Sequence, residues 1–405
     1  MLRRMTFTIL TILTLTASTF AADDLKSAFK EGELYGKFRT YYFTRNFDVS
    51  NTWEDIAAGG MLYYRTAPLY GINVGIAFYT SQGMGLNDDD KEVYGLLARD
   101  ANGNHNSFSV LGESYIQFTR WDTTLKAGRQ ELETPWVNTW DNRLTPQSTE
   151  SYTLINNSIP GLELVASQVT KIRGKTSTEF VSMTEFAGIT TDDKPVTLGG
   201  IKYSGVEGLK VQLWDFYAHD YLNNIYFRAD YSRKITDNFS GFAAFQYLNQ
   251  EDVGDKLGGS LDTHMYGVQG GIKTYGFTVT LAYSEIGNQD INYPWGFDYI
   301  ISLQVNEIHR ADETGILAKL GYDFRTIGIK GLDASMLYMD FDTPENGTNA
   351  SPDKDEINFD VKYKFSGYLE GMGLRARYAI VDQDEALGGE DFTDFRLYFT
   401  YDFSL

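Results

Sequence analysis

Cysteine is absent from this sequence of 405 residues, which excludes a disulfide scaffold, thiolate metal sites and thiol chemistry. Histidine is almost absent as well. A Ser–His mechanism needs a general base beside a nucleophile, and none of the 4 histidines stands in such a constellation: His105, His219, His264 and His309. The acidic run at residues 87–90 lacks the spacing of a calcium loop, which favours a solvated surface loop. We therefore expect no catalytic residue, no metal site and no cofactor.

Long apolar runs are missing beyond the first residues. Residues 1–5 are basic, residues 6–15 are apolar, and Ala21 and Ala22 precede Asp23, which is typical of a secretory signal peptide at residues 1–22. A transmembrane anchor is the competing interpretation, but the run is shorter than a bilayer requires. No later run is suited to a membrane helix. A mature chain in a membrane would therefore have to be a closed β-barrel.

Positive charge is in deficit, with 35 Lys and Arg against 55 Asp and Glu and a net charge of -20. This balance argues against nucleic acid as a partner, since nucleic-acid binding needs clustered basic residues. By contrast, 39 glycines, 28 tyrosines and 26 phenylalanines suit many strands joined by tight turns. A mean hydropathy of -0.32 is compatible with a membrane barrel, because only every second residue of a strand faces lipid.

Residues 392–405 show the clearest strand pattern. Apolar residues at 395, 397, 399, 401, 403 and 405 alternate with mostly polar residues at 394, 396, 400, 402 and 404. A soluble all-β protein could carry such a strand too. About eighteen segments of this kind occur, and weak alternation near Ile56, Leu162 and Leu332 leaves sixteen as the alternative count. They begin near Glu33, Ile56, Tyr70, Phe108, Thr123, Ser151, Leu162, Val196, Leu209, Asn223, Phe239, Thr263, Gly276, Asp312, Leu332, Asp355, Met372 and Phe392.

The connections between these segments alternate between short turns and longer, polar loops. Short turns on one side and long loops on the other are typical of outer-membrane barrels. One connection departs from this rule, because residues 219–222 are short where a long loop is expected. We predict an all-β fold, a transmembrane antiparallel up-and-down β-barrel of eighteen strands that forms a single domain at residues 23–405.

Residues 123–146 begin as a strand and continue as an aromatic, charged loop with two prolines. Two tryptophans in such a loop need apolar surroundings and a partner for each indole N–H. We predict that the loop, at about residues 131–150, folds into the barrel and narrows it. Alternatively, both tryptophans anchor the loop and never meet solute. The candidate constriction residues are Glu133, Trp136, Asn138, Trp140, Asp141 and Arg143.

Three stretches resemble the OprD-like family of outer-membrane porins: residues 38–85, residues 125–159 with the loop motif, and residues 321–332 with 371–378. The resemblance spans nearly the whole mature chain. It implies eighteen strands with both ends in the periplasm, an inward third loop, and a basic row in the lumen, opposed by an acidic patch, that guides small carboxylate-bearing solutes. The last strand resembles the signature read by the barrel-assembly machinery, although Leu405 replaces the family's usual phenylalanine.

Strand parity predicts the same basic row. If the apolar parity faces lipid, the other parity faces the lumen. Arg375 and Arg377 then lie together, and like charges repel unless an anion sits between them, although each cation could simply pair with another lumen residue. Arg129 has the outward parity, which requires a bulge or a place in the loop if it faces inward. The predicted row is Lys37, Arg39, Arg228, Lys319, Arg325, Lys362, Lys364, Arg375, Arg377 and Arg396.

The predicted function is passive uptake of small hydrophilic, anionic or zwitterionic solutes, such as amino acids and organic acids, across the bacterial outer membrane. The expected partners are outer-membrane lipid, the barrel-assembly machinery and the solutes. The family suggests a monomer or a loose homotrimer. The alternative is a plugged, structural or adhesive outer-membrane barrel without a transport role.

Overall fold

The computed structural model describes residues 22–87, 95–100 and 103–405. Residues 1–21 of the predicted signal peptide and Asp88, Asp89 and Asp90 of the acidic run lie outside the described residues.

Within these ranges, eighteen long strands form one antiparallel barrel. The strands are β1 (Glu33–Phe47), β2 (Trp53–Arg65), β3 (Ile72–Gly83), β4 (Phe108–Arg120), β5 (Thr123–Gln130), β6 (Ser148–Ile159), β7 (Leu162–Arg173), β8 (Val196–Tyr203), β9 (Leu209–Ala218), β10 (Leu222–Thr236), β11 (Phe239–Asp252), β12 (Asp262–Thr274), β13 (Phe277–Ile286), β14 (Thr314–Asp323), β15 (Leu332–Asp342), β16 (Lys354–Lys364), β17 (Met372–Gln383) and β18 (Phe392–Ser404).

The barrel closes between its first and last strands. β1 pairs with β18 from Tyr35↔Ser404 to Phe47↔Phe392, and each other strand pairs with its neighbours in sequence. The prediction of eighteen strands is confirmed, and the alternative of sixteen is wrong. The three weakly alternating segments are β2, β7 and β15, and each of them pairs on both sides.

Side chains alternate between the two faces of the wall, with apolar residues outside. Along β3, Ile76 and Phe78 are exposed, whereas Asn73, Ala77 and Tyr79 are buried. This inverts the pattern of a soluble protein and matches a barrel whose outer face meets lipid. Arg129 keeps the outward parity, in continuous register with Ser114, and its Nε lies 3.0 Å from Glu150 Oε1. Arg129 therefore faces outward, as simple alternation predicts, and no bulge shifts it.

Short turns join the strands at one end of the barrel. Trp121 and Asp122 form the β4–β5 turn with φ values of 51° and 55°, the left-handed geometry of a two-residue hairpin. The prediction that Arg325 lies on a strand is wrong. β14 ends at Asp323, and Arg325 lies in the 3-10 helix Phe324–Ile327 of the next turn. Arg325 is therefore part of a turn and not of the wall.

Among the described residues, helices are few and short. α1 (Leu25–Lys30) precedes the barrel, α2 (Met183–Phe186) follows the two-residue strand Val181–Ser182, and further 3-10 turns span Gly367–Leu369 and Glu385–Leu387. A two-residue ribbon pairs Ala98–Arg99 with His105–Asn106. None of the helices in the described part of the chain is long and apolar enough to cross a membrane.

Long loops occupy the other end, and we number them in chain order. The third loop covers residues 131–147, the fourth 174–195 and the seventh 287–313. The long loops are predicted to be polar, and the seventh departs from this prediction in part, because it also carries buried apolar residues. Trp295, Ile301 and Ile308 are buried and belong to the same apolar cluster as Trp136 of the third loop. Apolar side chains of the loops thus pack inside the barrel.

Candidate functional site

The third loop reaches β1 through an ion pair. Arg39, on the inward face of β1, donates from Nη1 and Nη2 to the two carboxylate oxygens of Asp141, each at 2.6 Å. Its Nη1 also donates to the Arg143 carbonyl at 2.6 Å, and Lys37 Nζ lies 3.8 Å from Asp141. Burial acts to raise the pKa of Asp141, but Arg39 and Lys37 outweigh it and hold this pKa below its ordinary value. The loop is therefore clamped to the wall by charge-assisted hydrogen bonds.

The two tryptophans of the third loop have different surroundings. Trp136 is fully buried, donates its indole N–H to the Asn292 carbonyl at 3.1 Å and stacks edge-on against Trp295 at 4.6 Å. Trp140 is only half-buried, and Lys175 Nζ of the fourth loop lies 4.1 Å from its ring centroid. Trp136 is thus an anchor, whereas Trp140 carries a cation on its face.

The remaining candidates shape the loop itself. Asn138 accepts the Trp140 backbone N–H at 3.0 Å and donates its own backbone N–H to the Trp295 carbonyl at 3.3 Å. Glu133 accepts a hydrogen bond from the Thr139 hydroxyl. Arg143 donates from Nη1 to the Asn142 carbonyl at 3.2 Å.

The seventh loop crosses the interior and bonds to opposite walls. Asp298 lies 3.2 Å from Arg228 on β10. Further along the loop, the Gln304 backbone N–H donates to Asn358 on β16 at 2.9 Å, and its side-chain amide donates to Asp394 on β18 at 2.8 Å. The sequence predicts a long loop here, but its path through the interior was missed. The signal was available in its unusual composition, since residues 291–301 are almost entirely apolar and aromatic.

The predicted pair Arg375 and Arg377 shares one carboxylate. Arg375 Nε donates to Asp360 at 2.9 Å, and Arg377 Nε lies 3.8 Å from the same side chain. Lys362 is the direct cross-strand partner of Arg375, and Lys319 on β14 interacts electrostatically with the group. Two arginines therefore contact the Asp360 carboxylate, and two lysines interact with it electrostatically. The anion that two adjacent arginines require is supplied by the protein itself.

Other members of the predicted row have their own acids or lie apart. Arg396 is buried and donates from Nε to Asp394 at 2.7 Å, while Arg228 Nε lies 3.0 Å from Asp230. Lys364 and Arg325 sit at the short-turn end, where both are exposed. The structure thus brings most of the row onto the inner wall and leaves these two at its rim.

An acidic and aromatic group lies where the third loop leaves β5. Glu131 Oε1 accepts hydrogen bonds from the Tyr63 and Tyr79 hydroxyls, each at 2.5 Å, and the Glu131 N–H donates to Glu113 at 2.8 Å. Burial and the neighbouring Glu113 raise the pKa of Glu131 above its ordinary value. These acids are not among the predicted site residues, because the tyrosine partners of Glu131 lie on β2 and β3, more than fifty residues earlier in the chain.

The family follows from comparison with known proteins. The model of a family described as outer membrane porin, OprD family, matches residues 28–405. The chain belongs to the OprD family. This porin therefore resides in the bacterial outer membrane. No curated protein matches it in sequence.

Solved structures of porins share the fold of this OprD-family chain. Pseudomonas aeruginosa OccK9 (OpdG) is 22% identical, with a TM-score of 0.85 and coverage of 94% of this chain and 100% of that chain. Acinetobacter baumannii OccAB3 is 19% identical, with a TM-score of 0.85 and coverage of 93% and 100%. P. aeruginosa OpdK with vanillate is 19% identical, with a TM-score of 0.82 and coverage of 93% and 99%.

Membership in the OprD family indicates which end of the barrel faces the periplasm. The end with short turns is periplasmic and the long loops are extracellular, as in outer-membrane barrels generally. Lys175 then lies at the extracellular side, beside Trp140, with its Nζ 3.1 Å from the Asn142 side-chain oxygen. Burial and the nearby Arg143 lower the pKa of Lys175 to about 7. The charge of this loop lysine is therefore sensitive to pH.

Proposed function

We propose that this porin mediates passive uptake of small hydrophilic solutes that carry a carboxylate group. The observation that carries the proposal is the group of Lys319, Lys362, Arg375 and Arg377 around the single carboxylate of Asp360. One carboxylate leaves an excess of cationic charge on the inner wall. Fixed positive charge along a low-dielectric wall raises the local concentration and entry rate of anions.

The hydrogen-bond donors in this group indicate the chemical class of the solute. Guanidinium groups bind a planar carboxylate through two parallel hydrogen bonds, so Arg375 exchanges Asp360 for a solute carboxylate of the same geometry. Vanillate, which accompanies OpdK in one of the similar structures, is a carboxylate. This supports a carboxylate as the common feature of the solutes.

The third loop is the proposed constriction. Its Asp141 is tied to Arg39 on β1, while its Trp136 is tied to the seventh loop. A loop that is fixed on several sides narrows the lumen to a constant width, because the loop cannot swing across the opening. A solute would pass Trp140 and Lys175 before it meets the arginines on β17.

Single-channel recording in a planar bilayer tests the proposal. The double variant Arg375→Gln/Arg377→Gln is expected to shift the reversal potential away from anions and to slow liposome swelling with a monocarboxylate more than with its uncharged amide. Lys330→Gln, in the exposed turn before β15, is the control with a cation removed outside the lumen. Equal swelling rates for acid and amide in the wild-type porin would contradict the proposal.

A plugged barrel is the second candidate function. It is favoured by the packing of Trp136, Trp295 and other loop residues into one apolar cluster inside the wall. The same recording separates the two, because a plugged barrel that inserts and folds carries no current.

We further propose that residues 1–22 are cleaved on export, that β18 is the strand read by the barrel-assembly machinery, and that the porin is a monomer or a loose homotrimer. Mass spectrometry of the porin extracted from outer membranes tests the cleavage, and native mass spectrometry of the detergent-solubilised porin tests the oligomer.

A further inference from the structure

Helix α1 is held against the periplasmic rim of the barrel by two hydrogen bonds that the mature porin retains. The Ala67 N–H donates to the Ala28 carbonyl at 2.9 Å. The Tyr64 hydroxyl donates to the Phe29 carbonyl at 2.5 Å. The helix is therefore fixed beside the β2–β3 turn, and its orientation relative to the wall is defined.

The faces of α1 differ in chemistry. Ala28 points to the barrel and is only 3% exposed, whereas Leu25 and Phe29 are 67% and 55% exposed. Residues four apart lie on one side of a helix, so these two apolar side chains form one face. Lys26 and Lys30 are exposed and follow them by one position each. This short helix thus shows large apolar groups and cations side by side.

The apolar face continues the surface that meets lipid. Tyr64, which holds Phe29, has the outward parity of β2 and is the direct cross-strand partner of the exposed Ile76. At the same rim, the turn residues Tyr70 and Trp121 are exposed as well. Tyrosine and tryptophan concentrate at the level of lipid headgroups. Leu25 and Phe29 therefore stand where the barrel wall passes from acyl chains to headgroups.

We propose that α1 is an interfacial anchor, which places Leu25 and Phe29 in the inner leaflet of the outer membrane and directs Lys26 and Lys30 to the phospholipid phosphates. The partner is the glycerophospholipid surface itself. Helices that lie in the plane of a membrane usually carry large apolar side chains on one face and lysines or arginines beside it. Continuity with the lipid-facing wall favours lipid over a second copy of the chain or a periplasmic protein.

The absence of cysteine makes the test direct, because single cysteines can be introduced without removing others. Leu25→Cys and Phe29→Cys are labelled with a nitroxide, and the porin is folded into vesicles of phosphatidylethanolamine and phosphatidylglycerol. Power-saturation electron paramagnetic resonance then compares accessibility to oxygen, which partitions into lipid, with accessibility to a water-soluble nickel chelate. Ile76→Cys is the lipid-facing reference, and Lys30→Cys is the matched control on the same helix.

The proposal expects a higher oxygen-to-nickel ratio at positions 25 and 29 than at position 30, close to the ratio at position 76. A ratio at 25 and 29 equal to that at 30 would overturn it. Low accessibility to both reagents would also overturn it, since that result indicates burial against protein instead of lipid. Spin–spin broadening that grows with protein density would identify a second copy as the covering protein. The two labelled positions are independent, and heat-modifiable migration in gels establishes that each variant has folded.

Discussion

Arg39 is a buried cation in the lumen wall, and its partner Asp141 comes from a loop more than a hundred residues later in the chain. We predict that Asp141→Asn weakens docking of the third loop by about 1–3 kcal/mol, because charged donors of Arg39 lose their best acceptor. The variant also removes a negative charge next to Lys37. The channel is therefore expected to become more selective for anions, measured as a shift in reversal potential.

Asp237→Asn is the matched control for this change. Asp237 lies in the β10–β11 turn and pairs with Lys234 at 2.6 Å, so it loses the same charge at the periplasmic end. Its reversal potential is expected to equal that of the wild type. An Asp141→Asn channel with wild-type selectivity would show that this carboxylate is remote from the ion path.

Lys175 gives the porin a dependence on pH. Its pKa of about 7 lies below the ordinary value of 10.5, because burial and Arg143 disfavour the protonated form. Between these two values the unfolded chain binds more protons than the folded one, so the contribution of Lys175 to stability rises as pH increases through this range. The positive charge at the channel mouth is lost over the lower part of the same range. We predict that anion selectivity falls as pH rises through about 7.

Reversal potentials recorded on both sides of this pH measure the effect. Lys175→Met is expected to abolish the change near pH 7 and to hold the porin at its high-pH selectivity. Lys256→Met removes a lysine that is largely exposed and pairs with Asp252 at the end of β11, and this variant should titrate like the wild type. Titration of Lys175→Met with an unchanged midpoint would assign the effect to another group, such as Glu307.

At the scale of elements, the seventh loop is held inside the barrel by its contacts with the third and fourth loops. Trp295 joins three loops: its ring meets Trp136, and its indole N–H donates to the Met183 carbonyl at 3.0 Å. We predict that Trp295→Ala costs about 3–5 kcal/mol of loop docking, as truncation of a fully buried tryptophan does. The released loop should raise the open-channel current and its noise in single-channel recordings.

Trp121→Ala supplies the control, since it makes the same substitution in an exposed periplasmic turn. It is expected to leave the conductance unchanged. The barrel itself should survive the Trp295 change, because β13 and β14 pair directly from Phe277↔Tyr322 to Glu285↔Thr314. A Trp295→Ala porin with wild-type current would mean that the seventh loop stays docked through Gln304 and Asp298.

The strands were predictable and the interior loops only partly so. Alternation along a strand is a local property, which is why even weakly patterned β7 begins at the predicted residue, Leu162. Asp360 and Arg377 are direct partners on neighbouring strands, so register alone would place them together. The Arg39–Asp141 and Trp136–Trp295 contacts join residues far apart in sequence, and no period encodes them. The predicted loop residues could therefore be named, but not their partners.

At the scale of the whole molecule, the barrel reverses the usual distribution of side chains. Polar groups such as Gln246, Gln250 and Asp394 are buried in the interior, where their side-chain oxygens accept hydrogen bonds from the seventh loop. Apolar groups such as Leu320 and Phe359 are exposed on the outside. Interior polar groups need partners, so a wide barrel with a polar lining favours loops that supply them. The folded loops and the wall thus stabilise each other.

The last prediction concerns the cost of placing a charge on the lipid-facing side of the wall. Phe359 is the sixth residue of the eleven in β16, on the outward face between Met336 and Tyr378. Phe359→Arg places a charge near the middle of the bilayer and is expected to lower the free energy of unfolding by about 2–4 kcal/mol, measured by reversible unfolding in urea from lipid vesicles. Tyr363→Arg, on the same face near the periplasmic end, should cost only about 0–1 kcal/mol, because its guanidinium reaches water. Equal losses at both positions would contradict the placement of the membrane across β16, whereas a steep difference between them locates its centre near Phe359.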